Sequence, residues 1–430
     1  METAILVLIL FFLLILLGVP IGYGMLITAV FTIKVLHPQL PLVIIPQRVF
    51  SGINNFILLC IPFFMLAGEI MALTPLFDRL MQLSRALVGR IPGALSHVNI
   101  VVSMFFAGIT GAATADTSSI GGILIPAMRK DGYKDGYTVA VTVSSSTIGV
   151  IIPPSNLMVV AALACGTSVA ALFIGGIIPG ILSGLSQLVV SFIYAFRYGF
   201  PKAPPMTWKE RLIAIVKSAP ATGMPIIIVG GILGGVFTPT EASAVSVLYA
   251  FVVGGLMMRK LPEFKALKNC FLTVAARLGA VMFCVGASMV LGWIFAKADV
   301  PNAVGRFIIS ITTNPLLIIF GFLVTYLIVG CFLDPLPAIL IFTPIFLPLA
   351  RSIGMSVIHF AVVMVFGLAI GLITPPVGSC LYVGAAISGL KIEDFAKDLI
   401  PFILAITMVL FLIAYIPSLV TYLPDLLLRH

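Results

Sequence analysis

Few residues of this 430-residue sequence can do chemistry, and most of them lie inside apolar stretches. Asp116 falls in Gly108–Ser119, a run of small and hydroxyl-bearing residues that includes Thr110, Ala112 and Thr114. Asp334 falls in Gly330–Pro337, where proline follows the acid directly. A second pair of segments carries double prolines. Ser144, Ser145, Ser146 and Thr147 precede Pro153, Pro154, Ser155 and Asn156, and Thr374, Pro375 and Pro376 precede Gly378 and Ser379. Two adjacent prolines remove two amide donors and leave carbonyls four residues earlier without partners. In an apolar surrounding each such group is costly unless something satisfies it. Na+ prefers hard oxygen ligands, so backbone carbonyls, Ser and Thr hydroxyls and one carboxylate make a cage for it. The helix N-termini that restart after each break point partial positive charge at an anion. The arrangement suits coupled binding of sodium and an anionic substrate near a membrane midplane.

The elements that must hold these residues are membrane helices. Hydrophobic residues make up 61% of the chain and charged residues 9%, against roughly 25% charged in a soluble domain. Mean hydropathy is +1.23. Such a composition excludes a soluble enzyme, a disordered chain and a secreted disulfide scaffold. Apolar runs at roughly 4–36, 53–73, 95–128, 136–165, 169–196, 219–237, 240–258, 270–296, 315–350, 357–388 and 399–424 are long enough for helical spans, and several must be broken. They do not alternate as barrel strands would. The first run has no basic flank and no cleavage site, and reads as a retained span. Basic stretches at 197–217 and 259–268 flank two spans, so both face the same side, the cytoplasm by the positive-inside rule. The segments 76–90 and 208–217 are amphipathic and suit helices lying along the interface. The net charge of +9 therefore reports orientation and contact with the lipid bilayer. No aromatic-basic groove pattern is present, and no nucleic acid is expected as a partner.

The two chemical segments repeat. Ile148-Gly149-Val150-Ile151-Ile152-Pro153-Pro154 matches Ile370-Gly371-Leu372-Ile373-Thr374-Pro375-Pro376 at an offset of 222 residues. Pro126, Arg129 and Gly132 match Pro348, Arg351 and Gly354 at the same offset, as do Gly108 and Gly330, Phe173 and Phe395, and Pro179 and Pro401. Leu66-Ala67-Gly68 resembles Val290-Leu291-Gly292 at 224. The matches are mostly Gly and Pro, which fix backbone shape, and duplicated halves are characteristic of secondary transporters.

Other residues admit plainer roles. Six cysteines stand singly in apolar stretches and read as small core hydrophobes. Glu241, in Thr238-Pro239-Thr240-Glu241, opens a span and suits a helix cap at least as well as a coupling role. Glu69 and Lys297 sit near breaks, as structural or transport charges. The four histidines are scattered, so no metal site other than one for Na+ is expected. The chain contains no HExxH, GxSxG or Walker motif, so no catalytic residue is assigned.

Three motifs carry a family resemblance over nearly the whole chain: Gly235–Ala242, Gly108–Met128 and Ile151-Ile152-Pro153-Pro154-Ser155. The sequence resembles the large membrane (M) subunit of tripartite ATP-independent periplasmic (TRAP) transporters. That resemblance implies an all-α polytopic membrane protein of the bacterial inner membrane. Its fold would have two inverted repeats with re-entrant hairpins and broken helices, working as an elevator. The repeats would be 1–212, with a hairpin at about 53–90 and broken helices at about 95–165, and 213–430, with a hairpin at about 270–312 and broken helices at about 315–388. The hairpins and broken helices together would form one transport domain.

It further implies uptake of an organic acid anion, of the sialic acid or C4-dicarboxylate class, coupled to Na+. The partners would be a small four-helix membrane subunit, expected as a separate polypeptide, and a periplasmic substrate-binding protein. Sodium would be held by Gly108, Thr110, Ala112 through its backbone, Thr114 and Asp116, and by Gly330 and Asp334 with Thr374, Pro375 and Pro376. Substrate would meet Ser144, Ser145, Pro153, Pro154, Ser155, Asn156, Gly378 and Ser379. Two alternatives stay open: a stand-alone Na+- or H+-coupled anion carrier, and an intramembrane enzyme pairing Asp116 with Asp334.

Overall fold

The computed structural model describes residues 2–202, 205–257 and 263–428, apart from the side chains of 2, 109, 110, 256 and 257. Arg259 and Lys260, part of the second basic stretch, lie outside the described residues. Helices α1 (Glu2–Leu16), α2 (Ile21–Phe31), α3 (Ile44–Ile53), α4 (Cys60–Ala72) and α5 (Leu76–Val88) lead into the first chemical segment. There α6 (Ala94–Thr110), α7 (Ala113–Lys130), α8 (Asp135–Ser146), α9 (Asn156–Cys165) and α10 (Val169–Tyr198) follow. Next come α11 (Trp208–Leu233), α12 (Pro239–Tyr249), α13 (Phe264–Lys297) and α14 (Val300–Ile311). The chain ends with α15 (Pro315–Phe332), α16 (Pro335–Ser352), α17 (Val357–Gly371), α18 (Ser379–Ser388), α19 (Ile392–Tyr415) and α20 (Ser418–Leu427). Among the described residues, six helices are long and apolar enough to cross a membrane, or seven if the pair α3–α4, bent by 55°, is one span. The lipid-facing surface is apolar: Leu16, Phe264 and Met408 are more than 70% exposed.

The repeat is realised helix for helix. Helix α7 starts and ends 222 residues before α16, and α8 starts 222 before α17. Gly132 and Gly354, equivalent at that offset, both take positive φ (84° and 79°) just beyond the C-termini of α7 and α16. Upstream, α4–α5 corresponds to the end of α13 and to α14. Packing is reciprocal: α7 lies against α18 while α16 lies against α9, and α8 lies against α19 while α17 lies against α10. Exchanged pairs of this kind are what a two-fold relation between halves produces. Helices α8 and α17 are buried nearly all round and form the centre. A second group, α2, α3 and α13 with α4, α12, α5 and α11, packs alongside.

The stretches expected as hairpins and broken helices resolve into individual helices joined by short turns. The run 95–128 is two helices, α6 and α7, joined at Gly111–Ala112, and 315–350 is α15 and α16, joined at Leu333–Asp334. Each stretch expected as broken helices therefore contains a hairpin followed by a broken helix. The stretch expected as a hairpin at about 270–312 holds most of the 34-residue α13, a turn at Ala298–Asp299 and the amphipathic α14. That expected at about 53–90 is the bent α3–α4 pair followed by α5. The first apolar run is likewise two short helices, interrupted at Leu17–Pro20.

Candidate functional site

Each hairpin tip is pressed against the break of the following broken helix. In the first half, Gly111 ends α6 with φ of 59°, and Ala112 is extended before α7 starts. The Gly111 carbonyl accepts a hydrogen bond from the Asn156 amide at 3.4 Å. A Cβ on Gly111 would stand 2.8 Å from the Pro154 carbonyl oxygen, so only glycine allows this approach. In the second half, the Cys331 carbonyl accepts from the Val377 amide at 3.2 Å. The pairs Pro153–Pro154 and Pro375–Pro376 are both cis. Gly108 lies beside the Pro153 carbonyl, while its equivalent Gly330 meets Gly371 backbone to backbone. The structure thus brings Gly108, Gly111 and Asp116 against 149–156, and Gly330 and Cys331 against Gly371 and Val377, with Ala112 and Asp334 in the adjoining turns. Thr110 continues α6, and its side chain lies outside the described residues.

Both carboxylates sit at the N-terminal end of the second hairpin helix, where the helix dipole favours negative charge. They are not at equivalent positions. Asp334 is the N-cap of α16 and accepts from the Leu336 amide at 3.2 Å. Its equivalent at offset 222 is Ala112, and that of Asp116 is Ala338. Asp116 lies one turn deeper, fully buried, with its carboxylate directly over the Cα of Gly149. The two junctions differ in exposure as well: Pro153 to Asn156 are buried, whereas Asp334 and Pro375 to Val377 are exposed. Cys380, in the first turn of α18, is fully buried.

The expected substrate residues divide. Ser155 caps α9, accepting from the Met158 amide and donating to the Val150 carbonyl at 2.6 Å. Asn156 Oδ1 and Ser379 Oγ are buried without a hydrogen-bond partner among the described residues, at the starts of α9 and α18. The Ser379 hydroxyl can donate to an anionic group, whereas Asn156 Oδ1, an acceptor, suits a hydroxyl-bearing ligand. Gly378 immediately precedes α18. Ser144 and Ser145 are different. Ser144 donates to the Val141 carbonyl, and Ser145 joins Asn99, Ser103 and Thr142 in a buried network between α6 and α8. Their hydroxyls are used in helix packing, which a sequence run of hydroxyls does not distinguish from a binding site. Thr374 donates to the Ile370 carbonyl, leaving its oxygen lone pairs available near the second break.

Glu241 resolves as a cap: its carboxylate accepts from the Thr238 amide and hydroxyl at 2.8 and 2.9 Å. Glu69 instead pairs with Arg277 at 2.6 Å, between α4 and α13. This pair borders a small cleft lined by Ala112, Ala115 and Ser119 of the first hairpin. The partners are 208 residues apart, and sequence reasoning had no means of joining them. We expect a double-mutant cycle of Glu69→Gln and Arg277→Met, read by thermal melting, to give a coupling of about 1–3 kcal/mol, between the values for exposed and for buried pairs. Additive effects of the two substitutions would deny the pair any energetic role.

A family model described as "Tripartite ATP-independent periplasmic transporter, DctM component" matches residues 8–419. The chain belongs to the TRAP transporter DctM family. It is 42% identical over 411 residues to the uncharacterized protein YgiK of Salmonella typhimurium, covering 95% of this chain and 94% of YgiK. It is 32% identical over 413 residues to the sialic acid TRAP transporter large permease protein SiaM of Vibrio cholerae, covering 96% of each. It is 33% identical over 406 residues to the 2,3-diketo-L-gulonate TRAP transporter large permease protein YiaN of Escherichia coli, covering 94% of each. In fold it is similar to the YdaH transporter of Alcanivorax borkumensis, with a TM-score of 0.60 over 86% of each chain at 12% identity. This TRAP large permease is accordingly a multi-pass membrane protein among transport proteins, and none of these relatives is named as an enzyme.

Proposed function

We propose that this TRAP large permease carries an organic acid anion across the bacterial inner membrane, coupled to Na+ entering in the same direction. The observation that carries the reading is the pair of tip-to-break junctions. Each combines a carboxylate, helix C-terminal carbonyls and a double proline in the middle of apolar sequence. Where helix C-termini and a carboxylate meet, the potential is negative and suits a cation. Gly108, Ala112 and Asp116, with Thr110 and Thr114, would hold one sodium ion. Gly330, Asp334 and Thr374, with the carbonyls around Pro375 and Pro376, would hold another. Where α9 and α18 begin, the Ser379 hydroxyl is free to donate to an anion, and Asn156 Oδ1 is free to accept from a hydroxyl of the same substrate. The relatives named for sialic acid and 2,3-diketo-L-gulonate support an organic acid as the substrate class.

The two packing groups support an elevator. Helices α6–α10 and α15–α20 would form the moving body, and α2–α5 with α11–α13 the scaffold. Membership of the family supports two partners, a small membrane subunit and a periplasmic substrate-binding protein. Proteoliposomes test the whole reading. Uptake should need this chain, the small subunit, the binding protein and an inward Na+ gradient together, and omission of any one should lower it at least tenfold. Equal uptake in sodium-free buffer would refute coupling, and equal uptake by this chain alone would return the stand-alone carrier.

A further inference from the structure

A cavity lies away from the tip-to-break junctions. It encloses about 750 Å³ between α5, the start of α6, the end of α7 and the first turns of α11. Arg79, Arg85, Lys130, Lys202 and Lys217 line it. None of the five lies within 4.0 Å of a carboxylate among the described residues. The two acids in its wall do little to balance them. Glu210 is tied to the Thr207 amide at 2.7 Å as the cap of α11, and Asp131 stands exposed at the hairpin base. Apart from Gln82 and Tyr133 the rest of the wall is mostly apolar, with Leu95, Val98, Ile213 and Ala214.

The depth of this cavity is marked by its neighbours. Trp208, 77% exposed at the start of α11, is a residue type that settles at the membrane–water interface. One and two turns further on, Leu212 and Val216 are exposed, on the same helix as the lining residues Ile213, Ala214 and Lys217. The cavity therefore has cationic groups toward water and an apolar edge toward lipid. An aqueous solute would use only the first of these, whereas a phospholipid uses both. Basic pockets between helices at this level are a known form of headgroup recognition.

We propose that this cavity seats the headgroup of an anionic phospholipid, its phosphate among Lys130, Lys202 and Lys217 and its acyl chains along Leu212 and Val216 of α11. The lipid would touch both the amphipathic helix α5 and the base of the α6–α7 hairpin. Native mass spectrometry of the purified full-length chain tests this, with phosphatidylglycerol, cardiolipin or phosphatidylcholine added in detergent. Adducts with the two anionic lipids should exceed those with phosphatidylcholine at least tenfold. The combined variant Lys130→Gln/Lys202→Gln/Lys217→Gln should lose at least fivefold of them, while Lys265→Gln/Lys268→Gln keeps them. Phosphatidylglycerol should also raise the melting temperature of the wild type and not of the triple variant. Should the triple variant precipitate, each single Lys→Gln change should lower the adducts about twofold. Equal adducts in the wild type and these variants would overturn the proposal. So would a melting shift produced as well by inorganic phosphate, because the cavity would then hold a free anion and not a lipid.

Discussion

Gly371→Ala is expected to lower uptake at least tenfold and to lower the melting temperature of the purified protein. Gly371 ends α17 where it crosses α15, and a methyl group there would collide with the backbone of Gly330, carbonyl included. Backbone atoms cannot swing aside as a flexible side chain can. Overpacking of this kind costs about 1–3 kcal/mol, and it would force the second hairpin away from its break. Gly149→Ala, at the equivalent position, places its methyl group against the Asp116 carboxylate. That group can rotate, so this variant should stay folded and lose mainly sensitivity to sodium. Gly321→Ala, on α15 with open space around it, is the control and should leave uptake unchanged. Uptake by Gly371→Ala at the wild-type rate would show that the close approach of α15 and α17 is not required.

The second large effect is expected from neutralising the aspartates. Asp334→Asn is a clean test, because asparagine caps a helix about as well as aspartate and so removes the charge while keeping the start of α16. Uptake should fall at least tenfold at a fixed sodium concentration, and the concentration for half-maximal uptake should rise. Asp334→Ala adds loss of the cap, worth about 1 kcal/mol, and should also melt lower. Asp116→Asn keeps the shape of a fully buried side chain and should weaken the sodium response in the same way. Wild-type sodium dependence in both Asn variants would remove the aspartates from the coupling site.

Much of this arrangement is legible in the sequence because glycine and proline constrain backbone shape in a way that shows in residue type. Gly108 with Gly330, Gly132 with Gly354, and the two double prolines together reveal a repeat that the structure realises helix by helix. The hairpins are less legible. Their turns, Gly111–Ala112 and Leu333–Asp334, are two residues long and carry no polar loop, so hydropathy runs straight through them. Helix α14 is amphipathic like its counterpart α5, a pattern that becomes clear once α5 and α14 are aligned. Ser145 and Asn156 both look polar and available in the sequence. Only packing shows that the first is consumed by Asn99 and Ser103 and that the second keeps a buried oxygen without a partner.

The unequal placing of Asp116 and Asp334 has a consequence for how such a molecule changes over time. The glycines and prolines that shape the fold share one register between the two halves, whereas the acids do not. Form and charge are therefore separate inheritances here, and either copy can have its electrostatics revised without redrawing the other. Moving the acid from position 116 to position 112, to mimic the second half, asks whether the first backbone accepts the charge at either place.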